Sequence, residues 1–233
     1  MKNIFLLFLT FHSYALFGQT SGYVEYKSKI FSQMIDTSNI ENDDVKKSMQ
    51  QTVNKMKRQM PNVTYELKFG NKRAIFSIKQ RMSVDDAIDF KSISNFSDAD
   101  GKFFTDIDEA LILRQLQAWN NEYIIRSSFS EWEIKNETKQ ILGYLCIKAV
   151  TTKELDNGEI IDITAWFAKD LPFNFGPKEF VGLPELILVI KERGIKFYIP
   201  KVNLNKNKTY KFKFQDVEKS MTRKEFLSQS PYR

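Results

Sequence analysis

The chain has 233 residues, and 35 Lys and Arg outnumber 29 Asp and Glu to give a formal net charge of +6 at pH 7. It contains one histidine, His12, and one cysteine, Cys146. A single cysteine excludes an internal disulfide and thiolate-rich metal sites. Because His12 lies in the N-terminal segment that we expect to be removed, Ser-His and Cys-His catalysis and histidine metal sites are excluded as well.

Residues 1–18 have the pattern of a secretory signal peptide. Lys2 precedes an apolar run over residues 4–11, and small residues follow up to Gly18. The run is shorter than the roughly 20 residues that a membrane-spanning helix needs. We therefore expect cleavage after Gly18, a periplasmic or extracellular protein without a transmembrane segment, and a single domain over residues 19–233.

The first predicted elements are a strand over residues 23–30, where polar and apolar side chains alternate, and one long helix over residues 45–60. Asn42 and the two aspartates after it supply the helix cap and first-turn acids, and Pro61 ends the helix. Its apolar stripe consists of Val45, Met49, Val53, Met56 and Met60. This spacing predicts packing on a sheet, and an adaptable methionine-lined binding surface is the alternative.

Strands dominate the rest of the chain. A hairpin is predicted from residues 63–69 and 74–78 around a turn at 70–72. Further strands are predicted over residues 102–105, 110–117, 122–127, 141–152, 160–168, 195–199 and 210–214, with turns at 135–137, 156–158 and 193–194. Residues 80–97 give no clear pattern, and residues 222–225 predict a capping box that begins a short C-terminal helix. The predicted fold is mainly β (α+β): one curved antiparallel sheet or half-barrel, with the long helix on its concave face.

The segment over residues 176–190 has the most specific backbone requirements. Gly176, Pro177, Gly182 and Pro184 fall within nine residues and precede the aliphatic run 186–190. Proline fixes φ, and glycine reaches backbone angles that other residues avoid. The segment therefore predicts a rigid loop that leads into a buried strand.

Cys146, among apolar neighbours, is expected to be a buried small hydrophobe.

Several motifs in order resemble the GLPGLI family. They are Trp132-Glu133-Ile134, the tract 138–149, Ala165-Trp166-Phe167, Gly176-Pro177 and Phe180-Val181-Gly182-Leu183-Pro184-Glu185-Leu186-Ile187-Leu188. The resemblance implies an exported protein of the kind found in Bacteroidetes-type bacteria, without an established activity or catalytic residues to transfer. Glu185 replaces the second glycine of the family motif, and we expect it to have ordinary rather than positive φ.

The candidate structural motif residues are Trp166, Gly176, Pro177, Phe180, Gly182, Leu183 and Pro184. No catalytic residue, metal site or cofactor is predicted, because phosphate-binding and nucleophile-elbow motifs are missing from the sequence. The run Asp98-Ala99-Asp100-Gly101 fails the EF-hand spacing, which would put Phe96 first and Ile107 twelfth, so a solvated turn is expected. Asp170, Glu179 and Glu185 are the acids nearest the loop.

The sequence is most consistent with a non-enzymatic cell-envelope module. Its partner would be an outer-membrane or other envelope protein, or an apolar ligand in a cup lined by Met49, Met56, Phe76 and Trp166. The alternative is a carboxylate-dependent hydrolase of envelope glycan or peptide, which requires two acids within about 5–10 Å in one cleft.

Lysines are denser at residues 201–213, where an edge strand is predicted and attraction to an anionic surface is the alternative. No nucleic acid partner is expected, and the oligomeric state stays open.

Overall fold

A computed structural model describes residues 21–32, 40–79, 88–204, 210, 212–213 and 216–231. The predicted signal peptide lies outside the described residues. The strands are β1 (Gly22–Ile30), β2 (Tyr65–Gly70), β3 (Arg73–Ile78), β4 (Lys102–Asp106), β5 (Leu111–Ala118), β6 (Asn121–Ser127), β7 (Glu133–Ile141), β8 (Tyr144–Glu154), β9 (Ile160–Ala168), β10 (Ile187–Glu192), β11 (Ile195–Tyr198) and β12 (Met221–Thr222). The helices are α1 (Asp43–Gln59), α2 (Phe90–Phe96) and α3 (Arg223–Ser228), and short 3₁₀ helices cover Met60–Asn62 and Val217–Lys219.

The strands form one open sheet in the order β12-β6-β5-β4-β3-β2-β1-β11-β10-β9-β8-β7. Neighbouring strands pair antiparallel, except that β12 runs parallel to β6. The sheet is strongly curved, because Phe76 of β3 and Phe197 of β11 have ring centroids only 6.4 Å apart. Three strand spacings would separate them by about 14 Å in a flat sheet. The predicted mainly-β class and the curved antiparallel sheet are therefore confirmed, and the sheet does not close into a barrel.

The concave face is covered chiefly by the β9–β10 loop and α2 rather than by α1. The ring of Phe173 in this loop lies 4.8 Å from that of Phe69 in β2, and Ile93 of α2 is fully buried. Residues of the loop that join the core are Leu171, Phe175, Phe180, Leu183 and Leu186. The prediction that the long helix covers this face was wrong in extent, because the apolar loop occupies the space.

Helix α1 packs through its C-terminal end. Met56 and Met60 are buried, whereas Val45 and Met49 are 44% and 36% exposed. The Asn42 side chain caps the helix by accepting hydrogen bonds from the backbone N–H groups of Asp44 and Val45, as predicted. Because Met56, Phe76 and Trp166 belong to one packed core and Met49 faces outward, these four residues do not line a ligand cup.

Four hairpins turn through two residues that both have positive φ, which matches the right-handed twist of the strands. The turns are Asn71-Lys72, Trp119-Asn120, Leu142-Gly143 and Arg193-Gly194. The predicted turns at 70–72, 156–158 and 193–194 are confirmed. The predicted turn at 135–137 was wrong: these residues lie inside β7, whose register shifts between Ile134 and Thr138, and the chain turns at Leu142-Gly143 instead. Polar residues on both faces of an edge strand produced the false turn signal.

The structure differs from the prediction in two further places: the strand expected over residues 210–214 and the helix α2 before β4. Tyr210, Phe212 and Lys213 are not in a strand, and Lys211 and Phe214 lie outside the described residues. The lysine-bearing edge strand is β7, which is almost entirely exposed. Helix α2 was not predicted, since its short segment has no clear apolar period. The capping box of α3, formed by Thr222 and Glu225, is confirmed.

Candidate functional site

The β9–β10 loop places a lysine inside the protein. The Lys178 side chain has no exposed surface, and its φ of 60° lies in the left-handed region that non-glycine residues rarely adopt. Its ammonium group contacts the Glu192 carboxylate of β10 and donates to the Ser97 carbonyl oxygen at 3.4 Å. The rings of Phe180 and Phe197 lie 5.5 and 5.6 Å from it. Loss of hydration at this depth is offset by these partners.

Lys153 of β8 connects this buried pair to the surface. Its Nζ donates to Glu179 Oε1 at 2.6 Å and to Asp98 Oδ2 at 2.9 Å, and it lies 4.0 Å from Glu192 Oε2. Lys178 Nζ in turn lies 3.8 Å from Asp98 Oδ2. Two ammonium groups are thus surrounded by three carboxylates that come from three separate parts of the chain.

Arg114 of β5 extends the network on the other side. Its Nη1 donates to Asp98 Oδ1 at 2.7 Å, its Nη2 contacts the Asp100 carboxylate, and its Nε donates to the Asp100 carbonyl oxygen at 3.1 Å. Gly101 has φ of 81°, and a Cβ there would lie 2.1 Å from the Gln115 carbonyl oxygen. The predicted solvated turn is therefore a turn fixed by one guanidinium group. We name the whole set the charge cluster: Asp98, Asp100, Arg114, Lys153, Lys178, Glu179 and Glu192.

Ion pairing and burial act in opposite directions on the pKa values of the acids in the cluster. Burial favours a raised pKa for Asp98, but attraction by Lys178, Arg114 and Lys153 outweighs it and holds the pKa well below its usual range. For Glu179 burial again acts upward, and Lys153 and Lys178 bring the pKa below its ordinary value. Burial dominates at Glu192, whose pKa is raised. Asp98 and Glu179 are therefore ionised at neutral pH.

Four members of the charge cluster, Asp98, Arg114, Lys153 and Glu179, line an open cavity of about 530 Å³ between the two ends of the curved sheet. The buried Glu179 Oε2 has no hydrogen-bond partner among the described residues. A neighbouring cavity of about 450 Å³ shares four lining residues with it: Asn95, Asp98, Arg114 and Arg223. We refer to the two cavities together as the cleft.

A salt bridge spans the cleft at its rim. Arg223 of α3 donates to both oxygens of Asp156, which lies in the β8–β9 turn, at 2.9 and 2.6 Å. This bidentate geometry holds the C-terminal segment against the opposite end of the sheet. Arg193 also lines the cleft, is exposed, and has no side-chain hydrogen bond or ion pair within the described part of the chain.

The predicted motif residues shape the loop that carries Lys178 and Glu179. A Cβ on Gly176 would lie 2.3 Å from the Phe180 carbonyl oxygen, and Gly182 has φ of 95°, so both positions need glycine. The Pro177 carbonyl oxygen accepts from the Phe180 N–H at 3.2 Å. Phe180 and Leu183 are buried and Pro184 is exposed.

Trp166 lies outside the cleft. It is buried on β9, and Lys139 Nζ of β7 lies 3.6 Å from the centre of its ring. Its position is thus explained by packing on the outer face of the sheet rather than by a place in the candidate site.

The structure does not bring the three predicted acids together. Glu179 belongs to the charge cluster, Asp170 is exposed, and Glu185 lines neither cavity of the cleft. Burial raises the pKa of Glu185, with Lys169 acting in the opposite direction. Glu185 does not have positive φ, so the prediction for this position is confirmed.

Asp98, Arg114, Lys153, Lys178 and Glu192 were not predicted as site residues. The sequence pattern could have identified one of them, Glu192. It follows Leu188 and Ile190 on the inward face of β10, where an acid requires a partner. Lys178 had no such signal, because its burial depends on the path of the loop.

Among the described residues, no group of three or more His, Cys, Asp and Glu side chains could hold a metal ion. Within the same residues, no helix combines the length and the hydropathy needed to cross a membrane.

These features define a protein with an open, curved β-sheet and a charged cleft between the ends of the sheet. The family model described as "Protein of unknown function (Porph_ging)" matches residues 155–189, inside the tract that resembles the GLPGLI family. The model covers the β8–β9 turn, β9, the β9–β10 loop and the start of β10. No curated protein matches the chain.

Two solved structures of PNGF-II are similar in fold. The structure in the C2 space group has a TM-score of 0.50 and 11% identity, and the match covers 90% of this chain and 32% of PNGF-II. The structure in the P21 space group has a TM-score of 0.48 and 11% identity, with 82% and 29% covered. The chain thus spans about a third of the length of PNGF-II.

Proposed function

We propose that the protein is an exported binding module of the GLPGLI type, and that it holds a polar segment of an envelope protein partner in the cleft. The observation that carries the proposal is Glu179 Oε2. This buried oxygen belongs to the ionised carboxylate of a residue that lines the cleft, and it has no donor among the described residues. A buried acceptor without a donor is costly, so a ligand that brings an N–H or O–H group gains free energy there.

The remaining lining of the cleft supports a polar ligand. Uncharged polar side chains that line the larger cavity are Asn95, Ser127, Ser128, Ser130, Thr152 and Asn157. Exposed Arg193 adds a cation at the rim that can pair with an acidic group of the partner. An apolar ligand is not proposed, because the residues expected to line an apolar cup are packed in the core or face outward.

The test is capture of a partner from envelope extract with the wild type and with Glu179→Gln, Arg193→Gln and Glu185→Gln. Glu179→Gln replaces the acceptor, and Arg193→Gln alters the rim without breaking an ion pair of the cluster. We expect both variants to lose the partner. Glu185→Gln is the matched control, because it makes the same chemical change outside the cleft. Equal capture by all four proteins, with thermal unfolding unchanged, would contradict the proposal.

A carboxylate-dependent hydrolase is the second candidate. Asp98 and Glu179 contact the same ammonium group at 2.9 and 2.6 Å, so their carboxylates satisfy the limit of about 10 Å that a two-acid mechanism sets. Both have lowered pKa values, so neither of these two acids is protonated and able to donate a proton at neutral pH. Hydrolysis of envelope glycan or peptide by the wild type, abolished in Asp98→Asn, would favour the hydrolase over the binding module.

A further inference from the structure

A row of lysines crosses the outer face of the sheet, away from the cleft. Lys29 of β1 and Lys191 of β10 are both directly opposite Lys196 of β11, so the three lie in register on neighbouring strands. Adjacent strands are about 4.8 Å apart. Like charges placed directly opposite each other destabilise a sheet, which makes this arrangement costly for folding alone.

Among the residues that the structure describes, no acidic side chain pairs with the row of lysines. Within the described part of the chain, the ammonium groups of Lys29, Lys191, Lys196 and Lys139 have neither a hydrogen bond nor an ion pair. Asp162 lies on the same face of β9 and pairs with none of them. Their mutual repulsion is felt at Lys196, whose pKa is lowered first by burial and then by Lys29 and Lys191.

Aromatic side chains lie between these lysines. Tyr198 is flanked by Lys29 and Lys196 at 5.6 and 5.1 Å from its ring centre. Phe31 follows β1 directly, is 42% exposed, and has Lys191 Nζ 4.9 Å from the centre of its ring. An exposed phenylalanine beside unpaired lysines is the combination found at membrane interfaces, where the aromatic ring enters the boundary between headgroups and acyl chains.

We propose that this face, made up of Lys29, Lys191, Lys196, Lys139 and Phe31, binds the surface of an anionic lipid bilayer. The lysines contact lipid phosphates as point charges, and Phe31 inserts at the depth of the headgroups. A soluble polyanion would be attracted by the lysines but would gain nothing from an exposed aromatic ring. The face points away from the cleft, so a protein bound to lipid in this way keeps the cleft open to a partner.

The experiment is co-sedimentation of the full chain with vesicles of phosphatidylcholine alone and of phosphatidylcholine mixed with phosphatidylglycerol. The neutral vesicles correct for any attraction by the apolar N-terminal run. We expect binding to the anionic vesicles that weakens as salt is added. The triple variant Lys29→Gln, Lys191→Gln, Lys196→Gln should bind about a hundredfold more weakly, because each lysine near an anionic surface contributes roughly fivefold.

The matched control is Lys47→Gln, Lys57→Gln, Lys102→Gln, which removes the same charge from exposed lysines elsewhere and should bind like the wild type. Phe31→Ser should weaken binding to anionic vesicles several-fold and leave the salt dependence unchanged. An equal loss in both triple variants would overturn the proposal, since it would reflect net charge alone. Binding to dextran sulfate without binding to anionic vesicles would also overturn it, in favour of a soluble polyanion.

Discussion

Lys178 combines two features that each raise the free energy of the folded state. Its φ is 60°, and its charged side chain is completely buried. Non-glycine residues in the left-handed region cost about 1–3 kcal/mol, and an unpaired buried ammonium costs several more. Because a glycine or an apolar residue would avoid one of these costs, the side chain is explained by what it holds in place: Glu192 and, through Asp98, the floor of the cleft.

Replacing Lys178 tests this account. Lys178→Met keeps the backbone strain and the length of the side chain but leaves the Glu192 carboxylate without its closest cation. We expect a loss of about 3–5 kcal/mol in the free energy of unfolding, measured with urea. The double variant Lys178→Met, Glu192→Leu removes both charges and should be more stable than Lys178→Met alone. Additive effects of the two single changes would show that the pair is not coupled.

Asp98 makes stability depend on pH in a defined direction. Its pKa in the folded protein lies well below the usual value because of Lys178, Arg114 and Lys153, although burial acts in the opposite direction. A carboxylate with a depressed pKa adds stability that is fully present above about pH 4 and is lost as the pH falls through the lower folded value. We expect wild-type stability to fall steeply below pH 4, and Asp98→Asn to be less stable at neutral pH but to show a shallower acid slope. Parallel slopes for the two proteins, from urea unfolding at each pH, would rule out this role.

At the scale of elements, helix α1 is divided between a packed end and a solvated end. Met56 and Met60 are buried in the main core, whereas Met49 is exposed although it lies on the same predicted stripe. The stripe has the right period along its whole length, but only the methionines at its C-terminal end are buried, and the helix contacts β1 and α2.

Three methionine variants measure this division. Met56→Ala and Met60→Ala should each cost about 2–5 kcal/mol in urea unfolding, because each leaves a cavity in the core. Met49→Ala is the control on the same helix and should change stability by less than about 0.5 kcal/mol. A large effect at Met49 would mean that the N-terminal half of α1 also packs against the protein.

The strands that could be predicted from the sequence are those whose signal lies within a few neighbouring residues. Alternation of side chains identifies β2, β3 and β9, because a strand with one buried face must alternate. It fails at β7, whose two faces are both solvated, and at the Leu142-Gly143 turn inside an apolar run. The glycines and prolines of residues 176–184 did predict a rigid loop before a buried strand, and this loop is the one between β9 and β10.

No pattern among neighbouring residues predicts the charge cluster. Asp98, Lys153 and Lys178 are far apart in sequence, and they meet only because the sheet bends until its two ends approach each other. A sequence shows which residues carry charge but not which of them are enclosed, so only Glu179 among the predicted acids proved to lie in the cluster. The fold class was therefore predictable from the sequence, and the site was not.

At the scale of the whole molecule, Cys146 reports whether the sheet unfolds as one unit. Its side chain is fully buried in the main core, and burial raises the pKa of its thiol to about 11, with Lys139 acting weakly in the opposite direction. The reactive thiolate is therefore scarce at neutral pH even apart from steric protection. We expect no reaction with a disulfide reagent in native buffer and full reaction in denaturant.

The dependence of this reaction on urea gives the sharper result. Cys146 lies on β8, directly opposite Ala168 of β9 and next to the exposed edge strand β7. If its burial depends on the whole core, its reaction should follow the same transition as the intrinsic fluorescence of the three tryptophans, of which Trp166 packs in that core. Modification at urea concentrations where the fluorescence is still native would mean instead that β7 and β8 open separately from the rest of the sheet.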